Sequence, residues 1–458
     1  MKFEDIEQVY FIGIGGIGMS ALARYFNSKG ISCAGYDKTK TELTENLQHE
    51  GIDVHYEDDT TLINGRFLQK DNTLVVYTPA VPGDHSELNY FRNNGFYVIK
   101  RAEALGIISR GSFCIAVAGT HGKTTTSSMV AHICKHAGLP VTGFLGGITA
   151  NYNTNYIESP GSTITVVEAD EYDRSFLQLN PDIAIITSTD PDHLDIYNSA
   201  EYVTQSFEEF TGKIKPGGKL IIRKDIQIKP AIQPVFEYGV NVNGLAASNI
   251  RVENGRFLYM VTNNRELIGE FSLGVPGRHN IENSLAAIGV GILMDIPADT
   301  IREAIKTFKG VKRRFETIIS TNTVTYVDDY AHHPTEINAC VNAARELFPG
   351  KRILGIFQPH LFSRTRDFAN EFAQSLEKLD TLILLPIYPA REKPIEGINS
   401  ELILGKANIN NKVLINKAEV LPYLTDILSN IDVLITMGAG DIDGLINPIK
   451  NLIQSRNS

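Results

Sequence analysis

A short apolar run, Cys114-Ile115-Ala116-Val117-Ala118, breaks into Gly119-Thr120-His121-Gly122-Lys123-Thr124-Thr125-Thr126. Few sequence features restrict a fold so tightly. Glycines let backbone N–H groups close around phosphate oxygens, and a following helix turns its positive N-terminus towards them. The loop therefore needs a buried strand before it and a helix after it, and Met129, Val130, Ile133 and Ala137 fall on one helical face downstream. In this reading Lys123 reaches the outer phosphates of a nucleoside triphosphate and the Thr124 hydroxyl ligates magnesium. The longer form of the pattern fails because Val117 stands where its first glycine belongs, and what remains is G-x-x-G-K-T.

A second glycine loop lies near the start. Residues 9–14 read as a buried strand overlapping Gly13-x-Gly15-x-x-Gly18, and Met19, Leu22, Ala23 and Phe26 then repeat at helical spacing. A strand at 31–36 ends at Asp37, nineteen residues after Gly18. That completes the dinucleotide fingerprint, with Asp37 as the acid that takes a ribose hydroxyl. Gly16 doubles the loop glycine, and the same cradle suits any diphosphate, including that of a nucleotide sugar. NAD, another diphosphate and a purely structural loop all stay open on these residues alone.

Further strands end in polar clusters. Residues 164–167 run into Glu168-Ala169-Asp170-Glu171-Tyr172-Asp173, and 183–187 lead to Asp192-His193-Leu194-Asp195. Such acids are commonly a solvated turn; beside a nucleotide they can hold magnesium, which takes oxygen ligands and phosphates together. If the sheet is parallel, the strand ends before Gly119, Glu168 and His193 converge on one crevice. Arg278-His279-Asn280 precedes a helical stretch at 281–294. The basic run Lys312-Arg313-Arg314 reads on its own as a solvated linker. Strands at 324–327, 353–357, 381–385 and 433–436 then alternate with helical windows, with Tyr330, His332, His333, His360 and Arg364 near two of their ends.

The expected architecture is thus three α/β domains. They are a Rossmann-like segment at 1–106, a central ATPase-like segment with the phosphate loop at 107–312, and a Rossmann-like segment at 313–458. A net charge of −10 argues against a general nucleic-acid partner. The four cysteines are scattered and form no C-x-x-C, there is no leader-like start, and no apolar run approaches the ~20 residues that span a bilayer. A cytoplasmic chain without membrane partners is the expectation. A dehydrogenase would leave the second glycine loop idle, and a kinase the first. A ligase that phosphorylates a nucleotide-linked carboxylate and lets an amine attack the acyl phosphate uses all three segments.

The ordered strings resemble the Mur ligases of peptidoglycan synthesis over essentially the whole chain. They are residues 13–20 and 119–126, Glu168–Asp173, Asp192–Asp195, Arg278–Asn280, Arg313–Glu316, Asp328–Glu336 and Met437–Asp441. The likeness is strongest to the alanine-adding branch. It implies ATP-dependent coupling of L-alanine to UDP-N-acetylmuramate, with Mg²⁺, by a monomer or weak homodimer. It implies a UDP-sugar site at Gly13, Gly15, Gly16, Gly18 and Asp37, displacing NAD. It implies ATP contacts from Gly119, Thr120, His121, Gly122, Lys123, Thr124, Thr125, His279 and Asn280, and metal ligation by Thr124, Glu168 and His193. Tyr330, His332 and Arg364 match the amino-acid end; Lys123, His193, His332 and Arg364 are the implied catalytic set. Two departures stand out. Residues 203–210 lack the lysine that other Mur ligases carbamylate, and Leu361 replaces the arginine common after Gln-Pro-His. The nearest rival within the family is the recycling ligase that adds a whole tripeptide.

Overall fold

The computed structural model describes residues 5–190, 200–390 and 392–457. The chain divides into two compact units. One comprises Met1–Ala246, Val261–Ile268 and Asn283–Ile305; the other comprises Ala247–Met260, Gly269–Glu282 and Lys306–Ser458.

The first unit opens with five parallel strands: β1 (Gln8–Ile12), β2 (Ser32–Tyr36), β3 (Asp53–His55), β4 (Thr73–Tyr77) and β5 (Tyr97–Lys100), in the order β3-β2-β1-β4-β5. After Gln8, β1 is buried on both faces: Val9 and Phe11 join one core cluster, Tyr10 and Ile12 another. The helix Ile17–Ser28 buries Met19, Leu22, Ala23 and Phe26, the face its periodicity predicts.

A second sheet follows. In this unit its strands are β6 (Phe113–Ala118), β7 (Val141–Thr149), β8 (Thr154–Glu158), β9 (Ile164–Glu168), β10 (Ile183–Ile186), β11 (Lys219–Arg223) and β12 (Phe236–Val240), ordered β12-β11-β10-β6-β9-β7-β8. β6 lies between β10 and β9, parallel to both, with Ala118 opposite Ile186 and Val117 opposite Glu168. This register brings the phosphate loop and the acidic cluster out at one edge. The convergence expected of a parallel sheet therefore holds for the described strand ends. One apolar cluster includes Phe11, Phe26, Leu105 and Ile108 together with Cys114, Phe176, Phe207 and Ile222. The position 106/107 falls inside the helix Arg101–Arg110, which contributes to that shared core.

The chain passes between the units through β13 (Leu245–Glu253), β14 (Arg256–Asn263), β15 (Glu266–Leu273) and the helix Arg278–Leu293, a meander the sequence pattern did not reveal. The second unit carries the third sheet: β16 (Glu316–Ser320), β17 (Thr325–Asp329), β18 (Ile353–Phe357), β19 (Thr381–Leu384), β20 (Asn411–Leu414) and β21 (Val433–Met437), ordered β16-β17-β21-β18-β19-β20. Only its edge strand β16 is antiparallel. Helices Pro334–Leu347 and Phe362–Leu376 cover one face, and Val420–Ile427 and Ile446–Asn457 the other, making it doubly wound. All four cysteines are buried and free. No helix among the described residues is long and apolar enough to cross a membrane.

The helix Lys123–His136 behind the phosphate loop buries His132, whose Nδ1 lies 2.7 Å from the Tyr152 hydroxyl. Burial, with His136 nearby, pushes its pKa down to about 4. A histidine depressed by folding takes up its proton first in the unfolded chain, so stability falls as pH drops below its ordinary range. Between about pH 6.5 and 4 this residue is expected to remove up to about 3 kcal/mol. Denaturant melts against pH should show a shallower acid limb in His132→Gln.

Candidate active site

At the phosphate loop, Gly119 (φ 137°) and Gly122 (φ 83°) take left-handed conformations that side chains resist. Space forbids side chains there as well: a Cβ on Gly119 would lie 2.1 Å from Thr187 Oγ1, and one on Gly122 2.5 Å from Asn283 Oδ1. The residues after β10 clamp the loop. His121 N–H donates to Ser188 Oγ at 2.7 Å, Thr120 N–H to the Ser188 carbonyl at 3.2 Å, and Thr187 Oγ1 to the Ala118 carbonyl at 3.1 Å. The helix Lys123–His136 starts with no side-chain cap, so its first N–H groups remain for an anion. Thr120, Thr124 and Thr125 are buried around this cradle.

Lys123 is held within it. Its ammonium donates to the Gly119 carbonyl at 2.6 Å and pairs with both Glu171 oxygens, at 2.9 and 2.8 Å. Burial works against the charge, yet Glu171, Asp170 and Glu168 together hold the Lys123 pKa above its ordinary value. Glu171 is the partner of Lys123 that the sequence reading missed. It stood inside the acidic cluster without a distinct task, and pairing across 48 residues leaves no local pattern. The cluster is not a uniform solvated turn, because each acid has its own partner. Glu168 Oε2 accepts from Gly146 N–H at 3.1 Å, Asp170 pairs with Arg101 at 3.2 Å, and Asp173 pairs with Lys100 at 2.9 Å. Phe176, stacked on Phe210 at 4.9 Å and edge-on to Phe207, anchors this loop, in which Asp173 and Arg174 have positive φ.

The first glycine loop shares a cleft of about 270 Å³ with these acids, lined by Gly16, Ile17, Gly18, Thr78, Arg101, Gly146, Glu168 and Asp170 among others. Asp37 does not stand free as the fingerprint suggests. Its oxygens accept from Gly15 N–H at 2.7 Å and Thr39 N–H at 3.0 Å, bracing the loop from within. Gly13 meets Thr78 so closely that a Cβ would stand 2.5 Å from its methyl group.

The second unit gathers another set. Asp329, Met437 and Phe357 lie level in the parallel register of β17, β21 and β18, so the residues after them emerge at one edge. Tyr330 carries the guanidinium groups of Arg313 and Arg314 over its ring at 5.3 and 5.2 Å, and packs edge-on against His332. The basic run is no solvated linker. Arg313 donates to the buried Asp328 at 2.9 Å and to the Gly438 carbonyl at 2.7 Å. His332 Nδ1 lies 2.9 Å from the Tyr330 carbonyl and 3.3 Å from Glu336, and both are acceptors. That nitrogen therefore carries the ring proton and Nε2 keeps its lone pair. Burial lowers the His332 pKa, with Glu336 opposing and Arg364 assisting, so the ring is neutral near pH 7. Arg364 sits in the first turn of Phe362–Leu376, whose preceding residue Leu361 has φ 72°. His279 is depressed to about 4 by burial with Arg314 nearby, and Asn280 donates to the Pro276 carbonyl at 2.6 Å. His193 lies outside the described residues. Among the described residues no group of three His, Cys, Asp or Glu is arranged to hold a metal.

Three domain families match the chain: the Mur ligase family catalytic domain over residues 8–112, the Mur ligase middle domain over 117–291, and the Mur ligase glutamate ligase domain over 313–440. The UDP-N-acetylmuramate–L-alanine ligase of Flavobacterium psychrophilum is 50% identical over 457 residues, covering 100% of both chains. That of Cytophaga hutchinsonii is 48% identical over 463 residues, covering 100% of this chain and 99% of its own. Among solved structures, a UDP-N-acetylmuramate–alanine ligase from Thermotoga maritima matches with TM-score 0.84 at 29% identity, over 98% of this chain and 99% of that one. A murein peptide ligase from Psychrobacter arcticus, at 22% identity and TM-score 0.69 over 97% and 98% of the two chains, shares the fold.

Removing one partner of the Lys123–Glu171 pair strands a buried charge, which costs about 3–5 kcal/mol. Glu171→Ala is expected to lose stability on that order in chemical denaturation, and Glu171→Gln, which can still accept a hydrogen bond, less.

Proposed function

The chain belongs to the Mur ligase family, and on that premise we propose that it joins the amine of L-alanine to the carboxylate of UDP-N-acetylmuramate at the expense of ATP, in peptidoglycan precursor synthesis. The observation that carries this reading is near-half identity, over the entire chain, to ligases of that name. The structure contributes an anion cradle in one unit and a neutral histidine beside cations in the other.

In this reading segments 1–106, 107–312 and 313–458 divide the work among UDP-sugar, ATP and amino acid. The muramate carboxylate oxygen attacks the γ-phosphorus, ADP leaves, and an acyl phosphate forms. The alanine amine then attacks the acyl carbon, phosphate leaves, and the amine proton passes to a base. Lys123, cationic under the influence of three acids, follows the phosphoryl charge as it develops. His332 Nε2 is the base for the amine, and Arg364, a planar fork, holds the alanine carboxylate. Magnesium when bound neutralises phosphate charge; the Thr124 hydroxyl and the Glu168 carboxylate are the hard oxygen donors that suit it, with His193 as a third ligand. His279 and Asn280 serve the adenine side. The dehydrogenase alternative is weakened by Asp37, whose oxygens already accept from Gly15 and Thr39.

Incubation with ATP, UDP-N-acetylmuramate and single amino acids, reading phosphate release, tests the activity; release with alanine well above other amino acids is expected. Lys123→Ala should abolish turnover while calorimetry still registers the UDP-sugar. Arg364→Ala should raise KM for L-alanine by roughly ten- to a hundred-fold, the equivalent of about 1.5–3 kcal/mol for a charge-assisted bond, with KM for ATP nearly unchanged. A shift in the ATP constant alone would move Arg364 away from the acceptor.

A further inference from the structure

Arg101 begins the helix Arg101–Arg110 directly after β5, and its guanidinium lies against the first glycine loop: a Cβ on Gly18 would stand 2.6 Å from Nη1. The absence of a side chain at Gly18 is what admits the guanidinium there. Of the residues lining the 270 Å³ cleft, Arg101 is the one cation, and Glu168 and Asp170 are its acids. Among the described residues its side chain makes a single hydrogen bond, Nη2 to Asp170 Oδ2 at 3.2 Å, longer than the 2.7–2.9 Å of a strong charge-assisted contact. Its Nε and Nη1 donors are left over, and the side chain is 23% exposed. The helix Ile17–Ser28, whose Gly16–Gly18 end lines the same cleft, starts with no side-chain cap and no acid in its first turn.

We propose that Arg101 is a specificity residue for the diphosphate of the nucleotide substrate, and that it exchanges Asp170 for phosphate oxygens when that substrate binds. The proposal rests on the functional reading above, which gives the first loop a nucleotide sugar. The chemistry favours the exchange. An arginine fork meets two oxygens of a diphosphate at once, whereas here it meets one carboxylate oxygen at long range. The phosphates would then lie between the fork and the open N–H groups of the helix. Asp170, with Oδ1 kept by Tyr172 N–H at 3.1 Å, is the resting partner that occupies the arginine before substrate arrives.

Calorimetry of the full-length chain with UDP, UMP and UDP-N-acetylmuramate tests this. The unmodified chain should prefer UDP to UMP. Arg101→Gln should weaken UDP and UDP-N-acetylmuramate on the order of ten- to a hundred-fold while UMP shifts by no more than about three-fold. Arg101→Lys should fall between the two, and Asp170→Asn, which releases the arginine and removes a negative charge, should tighten UDP several-fold. The Lys and Asn variants preserve the test if Arg101→Gln does not fold. Unchanged UDP binding in the Arg101 variants, or equal losses for UDP and UMP, overturns the role of Arg101. If the unmodified chain binds neither UDP nor UDP-N-acetylmuramate, the functional reading itself fails.

Discussion

The ammonium of Lys123 is the charge around which the first unit is arranged. Burying a cation is costly unless oppositely charged groups and hydrogen bonds replace water. Here Glu171 supplies the direct pair, the Gly119 carbonyl a second acceptor, and Asp170 and Glu168 a longer-range field. Those groups lie at the ends of β6 and β9, so the arrangement holds only while these strands keep their parallel register. Phe176 between Phe207 and Phe210 fixes the acidic loop that delivers Glu171. A lysine that is already paired is preorganised, because its field is built before any ligand arrives.

The acids after β9 show how one short stretch serves several partners. Glu168 takes a backbone N–H on β7, Asp170 the guanidinium of Arg101, and Asp173 the ammonium of Lys100. Two of these contacts reach back to the start of the helix Arg101–Arg110. The glycine loop of the first sheet and the Gly119–Lys123 loop of the second are thereby tied through the same six residues. Their shared apolar core makes the same connection in non-polar terms.

The second unit solves a different problem, keeping a histidine neutral among cations. His332 is partly buried, flanked by Glu336 and the Tyr330 carbonyl, which fix its tautomer, while Arg313 and Arg314 spread their charge over the Tyr330 ring. Arg313 is itself neutralised by Asp328, a carboxylate hidden from solvent and held by Thr436 at 2.6 Å. A basic run that looks like a linker in sequence is therefore a structural support for the site.

The sequence alone carried the α/β class, the strands that lead into its motifs, and both glycine loops. These depend on local signals: apolar runs, a 3.6-residue period and glycines at fixed spacing. It also carried the family, since ordered motifs survive as strings. It did not reveal the meander β13–β15, whose residues alternate too irregularly to stand out. Nor did it reveal the partners of its own motifs. Asp37, read as a ribose ligand, also accepts from Gly15 N–H, and Glu171, read as one acid among four, pairs with Lys123. Both outcomes depend on which atoms the sheet register brings within 3 Å of each other. That is a property of strands packed side by side, which a linear string of residues does not contain.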